Sequence, residues 1–201
     1  MLPHVDIPRL LQALLCILLL CLPPSPAQAQ EPAIYKNAVT AKLFGVSVHL
    51  RESPYPEMFP NRLDDKGYIT FNYGAIVGYD RFVVRDVISV RVEQGLYADC
   101  AAKLAGFTHI GWRGLIFRKG RHSLNGGIGP TLVYRRDWNE NDAYVDDGYF
   151  KRHGEWQYKF YWYAGELEYN YRLKGRTDLS VNLVPGIPEL VSFGIGLRKR
   201  F

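Results

Sequence analysis

Apolar and polar residues alternate along the last stretch of the chain, residues 190–201. Phe193, Ile195 and Leu197 fall on one face of an extended strand, whereas small and cationic residues, including Arg198 and Arg200, fall on the other. The last edge strand of a soluble sandwich would have to bury both arginines in an apolar core. The pattern therefore favours a strand that lies between lipid and a polar interior, as in a transmembrane β-barrel.

The same alternation of period two recurs in seven earlier segments, which are residues 38–51, 67–80, 87–98, 103–118, 122–136, 155–173 and 177–184. Short turns and longer polar connections follow each other between them, and the two longest connections are 52–66 and 137–154. This pattern predicts an all-β fold, an eight-stranded antiparallel outer-membrane β-barrel formed by residues 38–201. The long connections are expected at the surface of a Gram-negative cell and both termini in the periplasm. The terminal aromatic residue, Phe201, resembles the insertion signal that the barrel-assembly machinery reads.

The first 29 residues differ from the rest. An apolar run at 7–22 is followed by a proline-rich segment and by Ala27, Gln28 and Ala29, a small-x-small cleavage site. This is predicted to be a secretory signal peptide, with residues 30–37 as a short periplasmic lead. Its removal leaves one cysteine, Cys100, so no internal disulfide is expected. The exported chain keeps its formal net charge of +5, which favours the phosphates of lipid or lipopolysaccharide over nucleic acid as partners.

The direction of each strand assigns a height to each inward residue. The even positions of the sixth strand are aromatic from Trp156 to Trp162 and become charged at Glu166 and Glu168. We therefore expect a lumen that is apolar in its outer half and filled below by a charged network that acts as a plug. The predicted acyl-chain pocket comprises Phe107, Val133, Phe160 and Trp162, with Gly95 and Gly111 as candidates for its floor. Pro130 predicts either a bulge or a lateral gap in the wall, because proline cannot donate to the ladder.

Three reactive side chains are expected at the outer rim, and these are His49, Asp99 and Cys100. Histidine side chains ordinarily titrate near neutral pH, so His49 is a candidate general base. The structural alternatives are a rim histidine, a turn aspartate and a small apolar filler. Metal-ligand spacing, a P-loop and a serine-hydrolase elbow are all absent from the sequence, so neither a metal nor a cofactor is predicted.

These features resemble the lipid A palmitoyltransferase family of outer-membrane barrels. The likeness is carried by His49 before a long polar loop, Asp99-Cys100 in place of an aspartate–serine pair, HSLNGGIGPTLVYRRDWN at 122–139, Val184-Pro185-Gly186, and the ending Arg200-Phe201. It implies an enzyme that moves a palmitoyl chain from a phospholipid to lipid A, with His49 as general base, Asp99 as its partner or an orienting group, and Cys100 at the hydroxyl position. Two departures are the cysteine itself and the absence of an amphipathic N-terminal helix in residues 30–37.

Two other functions are open at this point. A non-enzymatic small barrel, an adhesion or membrane-stabilising protein, predicts a polar lumen throughout and no convergence of His49 with Asp99. A lipid A deacylase predicts a His-x-Ser pair on a lipid-exposed face, and none is evident. In each case we expect a monomer in the outer membrane.

Overall fold

The structure, a computed structural model, describes residues 35–50, 56–139, 141, 144–186 and 190–201. The predicted signal peptide and the start of the lead lie outside these residues. The strands are β1 (Asn37–His49), β2 (Ile69–Val84), β3 (Ile88–Ala98), β4 (Leu104–Lys119), β5 (His122–Arg136), β6 (Lys151–His153), β7 (Trp156–Arg172), β8 (Thr177–Gly186) and β9 (Leu190–Arg200). A short 3₁₀ helix, Pro56–Met58, lies between β1 and β2. No helix in the described part of the chain is long and apolar enough to cross a membrane.

Eight of these strands form a closed antiparallel wall. Each pairs with its neighbours in chain order, β1 pairs with β9, and β5 pairs with β7 to complete the ring. The short β6 is an addition, paired only with the start of β7. The predicted eight-stranded barrel is confirmed, and the predicted strand bounds agree with the observed ones to within four residues. The outer end of the barrel is defined here as the end that carries the two longest connections.

The distribution of side chains is the reverse of that in a soluble protein. Large apolar residues face outward and are exposed, for example Leu43 at 68% and Trp112 at 56%. The largest fully buried side chains include Arg91, Gln157 and Glu168. Soluble domains almost never bury charged residues while leaving such an apolar surface in water. A closed wall with this surface is that of a barrel that spans the outer membrane.

Ten charged side chains fill the inner half of the lumen, and we call them the plug. They comprise the five cations Lys42, Arg91, Arg113, Arg198 and Arg200 and the five anions Asp80, Glu93, Glu166, Glu168 and Asp178. Arg91 lies at the centre, with Nε 2.9 Å from Asp80 Oδ1 and Nη1 2.9 Å from Glu168 Oε2, and it also bonds to Glu166. Since the charges balance, each ion has an opposite partner in a region without bulk water. The plug predicted from Arg91, Glu93, Arg113, Glu166 and Glu168 is present in this half.

A β-bulge in β7 changes which residues face the lumen. Gly129 of β5 pairs with Ala164, but Thr131 pairs with Tyr161, so β7 carries one extra residue opposite Pro130. One extra residue moves every side chain beyond it to the other face. The even positions point inward below the bulge, whereas Gln157 and Tyr161 do so above it.

The predicted inward positions of Phe160 and Trp162 are therefore wrong. Their side chains lie outside the barrel and are 46% and 70% exposed. Their rings contact each other edge to face, with centroids 4.8 Å apart. Pro130 marks a bulge, and strand pairing continues on both sides of it.

Candidate functional site

A cavity of about 360 Å³ occupies the outer half of the lumen, directly above the plug. Its wall is largely apolar and includes Phe44, Tyr97, Ala105, Phe107, Val133 and Tyr161. Phe44 and Tyr97 stack with ring centroids 4.3 Å apart. The volume lies at the small end of the range for ligand pockets, roughly 300–1,000 Å³, and an eight-stranded barrel has room for one slender ligand.

The structure separates the predicted pocket residues into two groups. Phe107 and Val133 line the cavity and pair directly across β4 and β5. Gly95 and Gly111 are not among the lining residues. The Phe107 ring takes the space that a side chain at Gly95 would need, whereas at Gly111 the space is taken by His109 and the carbonyl group of Ile128. The prediction of a glycine floor is therefore corrected, because neighbouring side chains cover both glycines.

His49, Asp99 and Cys100 all line this cavity near its mouth. His49 ends β1, and the other two follow β3 directly. The structure thus brings the three rim residues predicted from the sequence to one cavity, although β1 and β3 are not neighbours in the wall.

Two aromatic side chains connect His49 with Asp99. The imidazole of His49 stacks on Phe59, with ring centroids 5.1 Å apart, and Phe59 meets Trp138 edge to face at 6.2 Å. The indole Nε1 of Trp138 donates a hydrogen bond of 2.8 Å to Asp99 Oδ2. Phe59 and Trp138 are buried, so the connections after β1 and β5 close against each other over the cavity.

Asp99 is a turn residue as well as part of this cluster. Its Oδ1 accepts hydrogen bonds from the backbone N–H groups of Ala101 and Lys103, at 3.0 and 2.9 Å. Burial raises the pKa of the Asp99 carboxyl group, and the hydrogen bonds from Lys103 and Trp138 oppose that rise. Because both oxygens accept hydrogen bonds, the position of the carboxylate is fixed.

Cys100 is a free cysteine whose side chain is partly exposed. Burial raises the pKa of this thiol far above its ordinary value, and the negative charge of Asp99 raises it further. The thiolate is the nucleophilic form, so the neutral thiol at this position is a poor nucleophile.

Sequence reasoning missed three residues of the mouth, which are Phe59, Arg135 and Trp138. The guanidinium carbon of Arg135 lies 3.7 Å from the centroid of Trp138 and 4.1 Å from that of Phe150, a cation–π arrangement that holds the loop after β5. Arg135 Nε also donates to Gln157 Oε1 at 2.8 Å. Loops carry no periodicity, and the available signal was the Arg135-Arg136-Asp137-Trp138 run that contributed to the family resemblance.

Among the described residues, a gap in the ladder between β7 and β8 lies beside the cavity. These strands pair only from Leu167↔Leu183 to Arg172↔Asp178, in the inner half. β7 extends outward to Trp156, and over the described residues its outer part has no partner on β8. Tyr163, Ala164 and Val184 beside this gap line the cavity. The cavity is therefore bordered on one side by a stretch of described wall without strand pairing.

Three carboxylates of the plug lie close enough to hold a metal ion. Oxygens of Glu93, Glu166 and Glu168 lie within 4.8 Å of one another. However, Lys42, Arg91 and Arg113 already contact them, with Lys42 Nζ 2.8 Å from Glu168 Oε2. These cations supply the compensating charge, so we assign the cluster to the plug.

No protein-family model matches the chain, and no curated protein matches its sequence. Solved structures of small outer-membrane barrels are similar to it. For Ail, the attachment invasion locus protein of Yersinia pestis, the identity is 13% over 84% of this chain and 100% of that chain, with a TM-score of 0.49. The N-terminal barrel of OprF from Pseudomonas aeruginosa is 12% identical over 83% of this chain and 99% of that chain, with a TM-score of 0.44. OprG from the same organism is 10% identical over 86% of this chain and 99% of that chain, with a TM-score of 0.44. Likenesses at these scores carry no information on function.

Proposed function

We propose that this protein is an outer-membrane acyltransferase that moves a palmitoyl-type chain from a phospholipid to lipid A. The observation that carries the proposal is the apolar cavity in the outer half of the lumen, with His49, Asp99 and Cys100 at its mouth. A barrel that needs only structural filling would extend its balanced plug through the whole lumen. The family resemblance in the sequence supports the same activity.

We infer that the donor enters through the unpaired stretch of wall between β7 and β8. An acyl chain in the outer leaflet can pass sideways into the cavity without leaving an apolar environment. Inside, it packs against Phe44, Phe107 and Val133, and the plug stops it below. Burial of each methylene group contributes about 0.8 kcal/mol, so the depth of the cavity selects the chain length.

Transfer requires removal of one proton from the acceptor. The acceptor hydroxyl or amine attacks the ester carbonyl carbon of the donor, a new C–O or C–N bond forms, and the ester C–O bond breaks. His49 takes the proton from the acceptor and returns it to the departing lysophospholipid oxygen. Asp99 holds Trp138 by a hydrogen bond, and Trp138 and Phe59 orient the imidazole of His49 by ring contacts.

Cys100 has a positioning role in this proposal. Its thiol has a raised pKa, so direct transfer is favoured over an acyl-enzyme intermediate. A serine hydroxyl group of similar size would serve the same purpose, which is to contact the donor ester.

Mass spectrometry of lipid A tests the proposal. Cells that express the protein should contain lipid A carrying one additional acyl chain, and cells that express His49→Ala should lack it although the folded barrel is present. Cys100→Ser should retain the modification. Identical lipid A with and without the protein would refute acyl transfer to this acceptor.

The competing function is that of a non-enzymatic small barrel. The observation in its favour is that the Asp99 hydrogen bonds described above go to its own turn and to Trp138, which is also the arrangement of a purely structural loop. In that case the cavity would hold a lipid tail without chemistry, and His49→Ala would leave lipid A unchanged.

A further inference from the structure

The floor of the cavity is polar, although its walls are apolar. Gly95, Phe107 and Val133 pair side by side across β3, β4 and β5. One inward position lower, Glu93 pairs with His109 and His109 with Thr131. Glu93, His109 and Thr131 are 2%, 7% and 6% exposed, and all three line the cavity. A chain that enters past Phe107 therefore ends against polar groups.

Two atoms of this row have no hydrogen-bond partner among the described residues, and these are Glu93 Oε2 and His109 Nε2. Lys42 Nζ and Arg91 Nη1 lie 3.6 and 3.5 Å from Glu93 Oε2, which supplies opposite charge without a hydrogen bond. Buried polar side-chain atoms are paired in the large majority of cases, so each unpaired one requires an explanation. Glu93 and His109 both line the cavity, and the glycines beside these two atoms, Gly78 and Gly111, offer no side-chain partner.

The partners of His109 define what the pair can bind. His109 Nδ1 lies 2.6 Å from Thr131 Oγ1. When the threonine hydroxyl donates to Nδ1, the proton of the neutral ring is on Nε2, which then donates a hydrogen bond. The Glu93 carboxylate only accepts. A hydroxyl group accepts from one neighbour and donates to the other, so it satisfies both atoms, whereas a methyl group satisfies neither.

We propose that this floor binds a hydroxyl group, and that the acyl chain the cavity prefers carries a hydroxyl group at or near its far end. This inference rests on the proposed function, because it names the substrate class of the same cavity. Glu93 and His109 are specificity-determining residues in this view, and Thr131 fixes the tautomer of His109.

The test is a competition experiment on the purified, refolded barrel in detergent micelles. Hexadecanoic acid and ω-hydroxyhexadecanoic acid compete with a fluorescent fatty acid for the cavity. The wild-type protein should bind the hydroxylated acid at least about tenfold more tightly, because a site built for a hydroxyl group rejects the analogue that lacks it. His109→Phe should remove most of this preference, and Thr131→Val should reduce it.

The matched control is His122→Phe. His122 bonds to Tyr169 at 2.6 Å and is not among the residues that line the cavity, so its replacement should leave the preference intact. Heat-modifiable migration on gels checks folding, and Thr131→Val carries the test if His109→Phe does not fold.

Equal affinity of the wild-type protein for the two acids would overturn the inference and indicate that water molecules bind the polar atoms of the floor. A preference that survives in His109→Phe would overturn the assignment to this row. If neither acid displaces the probe, the acyl cavity of the proposed function fails as well.

Discussion

The inner and outer halves of the lumen differ in the side chains that fill the space inside the wall. In the inner half, five buried cations and five buried anions pair with one another. In the outer half, aromatic and aliphatic side chains surround a cavity of about 360 Å³. The two halves differ in their inward residues and also in the wall, because β7 carries a bulge between them and its described outer part does not pair with β8.

This difference separates the charged part of the barrel from the part to which we assign the proposed function. The plug connects β1, β2, β3, β4, β7, β8 and β9 through ion pairs and hydrogen bonds, as in the contacts of Arg91 with Asp80 and Glu168. Hydrogen bonds also connect strands in the outer half, as between Ser47 of β1 and Ser192 of β9, but over the described residues β7 and β8 are not paired there. The lateral entry of a lipid that we propose for the outer half is compatible with a closed barrel, because the charged half connects the strands.

The largest expected effect follows from removal of the central cation of the plug. Arg91→Met leaves Asp80, Glu166 and Glu168 with one uncompensated negative charge in a region without bulk water. Breaking a buried ion pair in this way costs about 3–5 kcal/mol of folding stability. Urea titration of the refolded barrel, monitored by tryptophan fluorescence, measures this loss.

The control for this substitution is Arg118→Met. Arg118 Nη1 lies 2.7 Å from Asp86 Oδ2 in a partly exposed pair at the turn end, and such pairs contribute about 0–1 kcal/mol. Equal destabilisation by the two substitutions would show that the plug is not the stabilising half.

The next largest effect is a loss of enzymatic activity at unchanged folding stability. His49→Ala should reduce the rate of acyl transfer about a hundredfold or more, the usual contribution of a general base, and should leave the urea midpoint close to that of the wild type. The rate is measured with a radiolabelled phospholipid donor in mixed micelles. Full activity of His49→Ala would end the assignment of chemistry to this mouth.

A smaller effect is expected from filling the cavity. Ala105 lines it and is buried, so Ala105→Leu should shorten the preferred acyl chain. Each methylene group that no longer fits costs about 0.8 kcal/mol, which corresponds to roughly a fourfold change in selectivity. Product analysis with donors of graded chain length measures the shift.

The adjacent residue Leu104 provides the control, because it is 45% exposed on the outer surface of the same strand. Leu104→Ala should leave chain selection unchanged. A shift of similar size in both variants would argue against the cavity as the site of length selection.

The smallest expected effect distinguishes substitutions on the inward and outward faces of β7 above the bulge. Tyr161→Ala should alter chain selection modestly, because Tyr161 lines the cavity, whereas Trp162→Ala should not. The same product analysis measures both. The opposite result would mean that the bulge opposite Pro130 does not move these side chains to the other face.

The sequence contains enough information for the wall but not for every side chain within it. Alternation of period two predicted all eight strands, since lipid on one side and a filled lumen on the other impose a strict two-sided pattern. It also assigned Phe107 and Val133 to the inner face, because β4 and β5 stay in register there. Above the bulge in β7 the same rule assigned Phe160 and Trp162 to the wrong face, since one extra residue reverses the alternation.

The mouth of the cavity was only partly predictable. His49, Asp99 and Cys100 were found because they end strands whose heights follow from the topology. Phe59 and Trp138, which connect His49 with Asp99, lie in loops whose packing depends on contacts between distant segments. The glycine floor was wrong for a similar reason, because only the structure shows that the ring of Phe107 covers Gly95.

The central claim, that the outer half of the lumen holds an acyl chain, can be tested by photocrosslinking. A phospholipid with a diazirine near the end of one acyl chain is reconstituted with the barrel, irradiated, and located by peptide mass mapping. The account predicts label on the inward residues Phe107, Val133 and Thr131 of β4 and β5. Label confined to outward residues such as Leu132, Phe160 and Trp162 would contradict it.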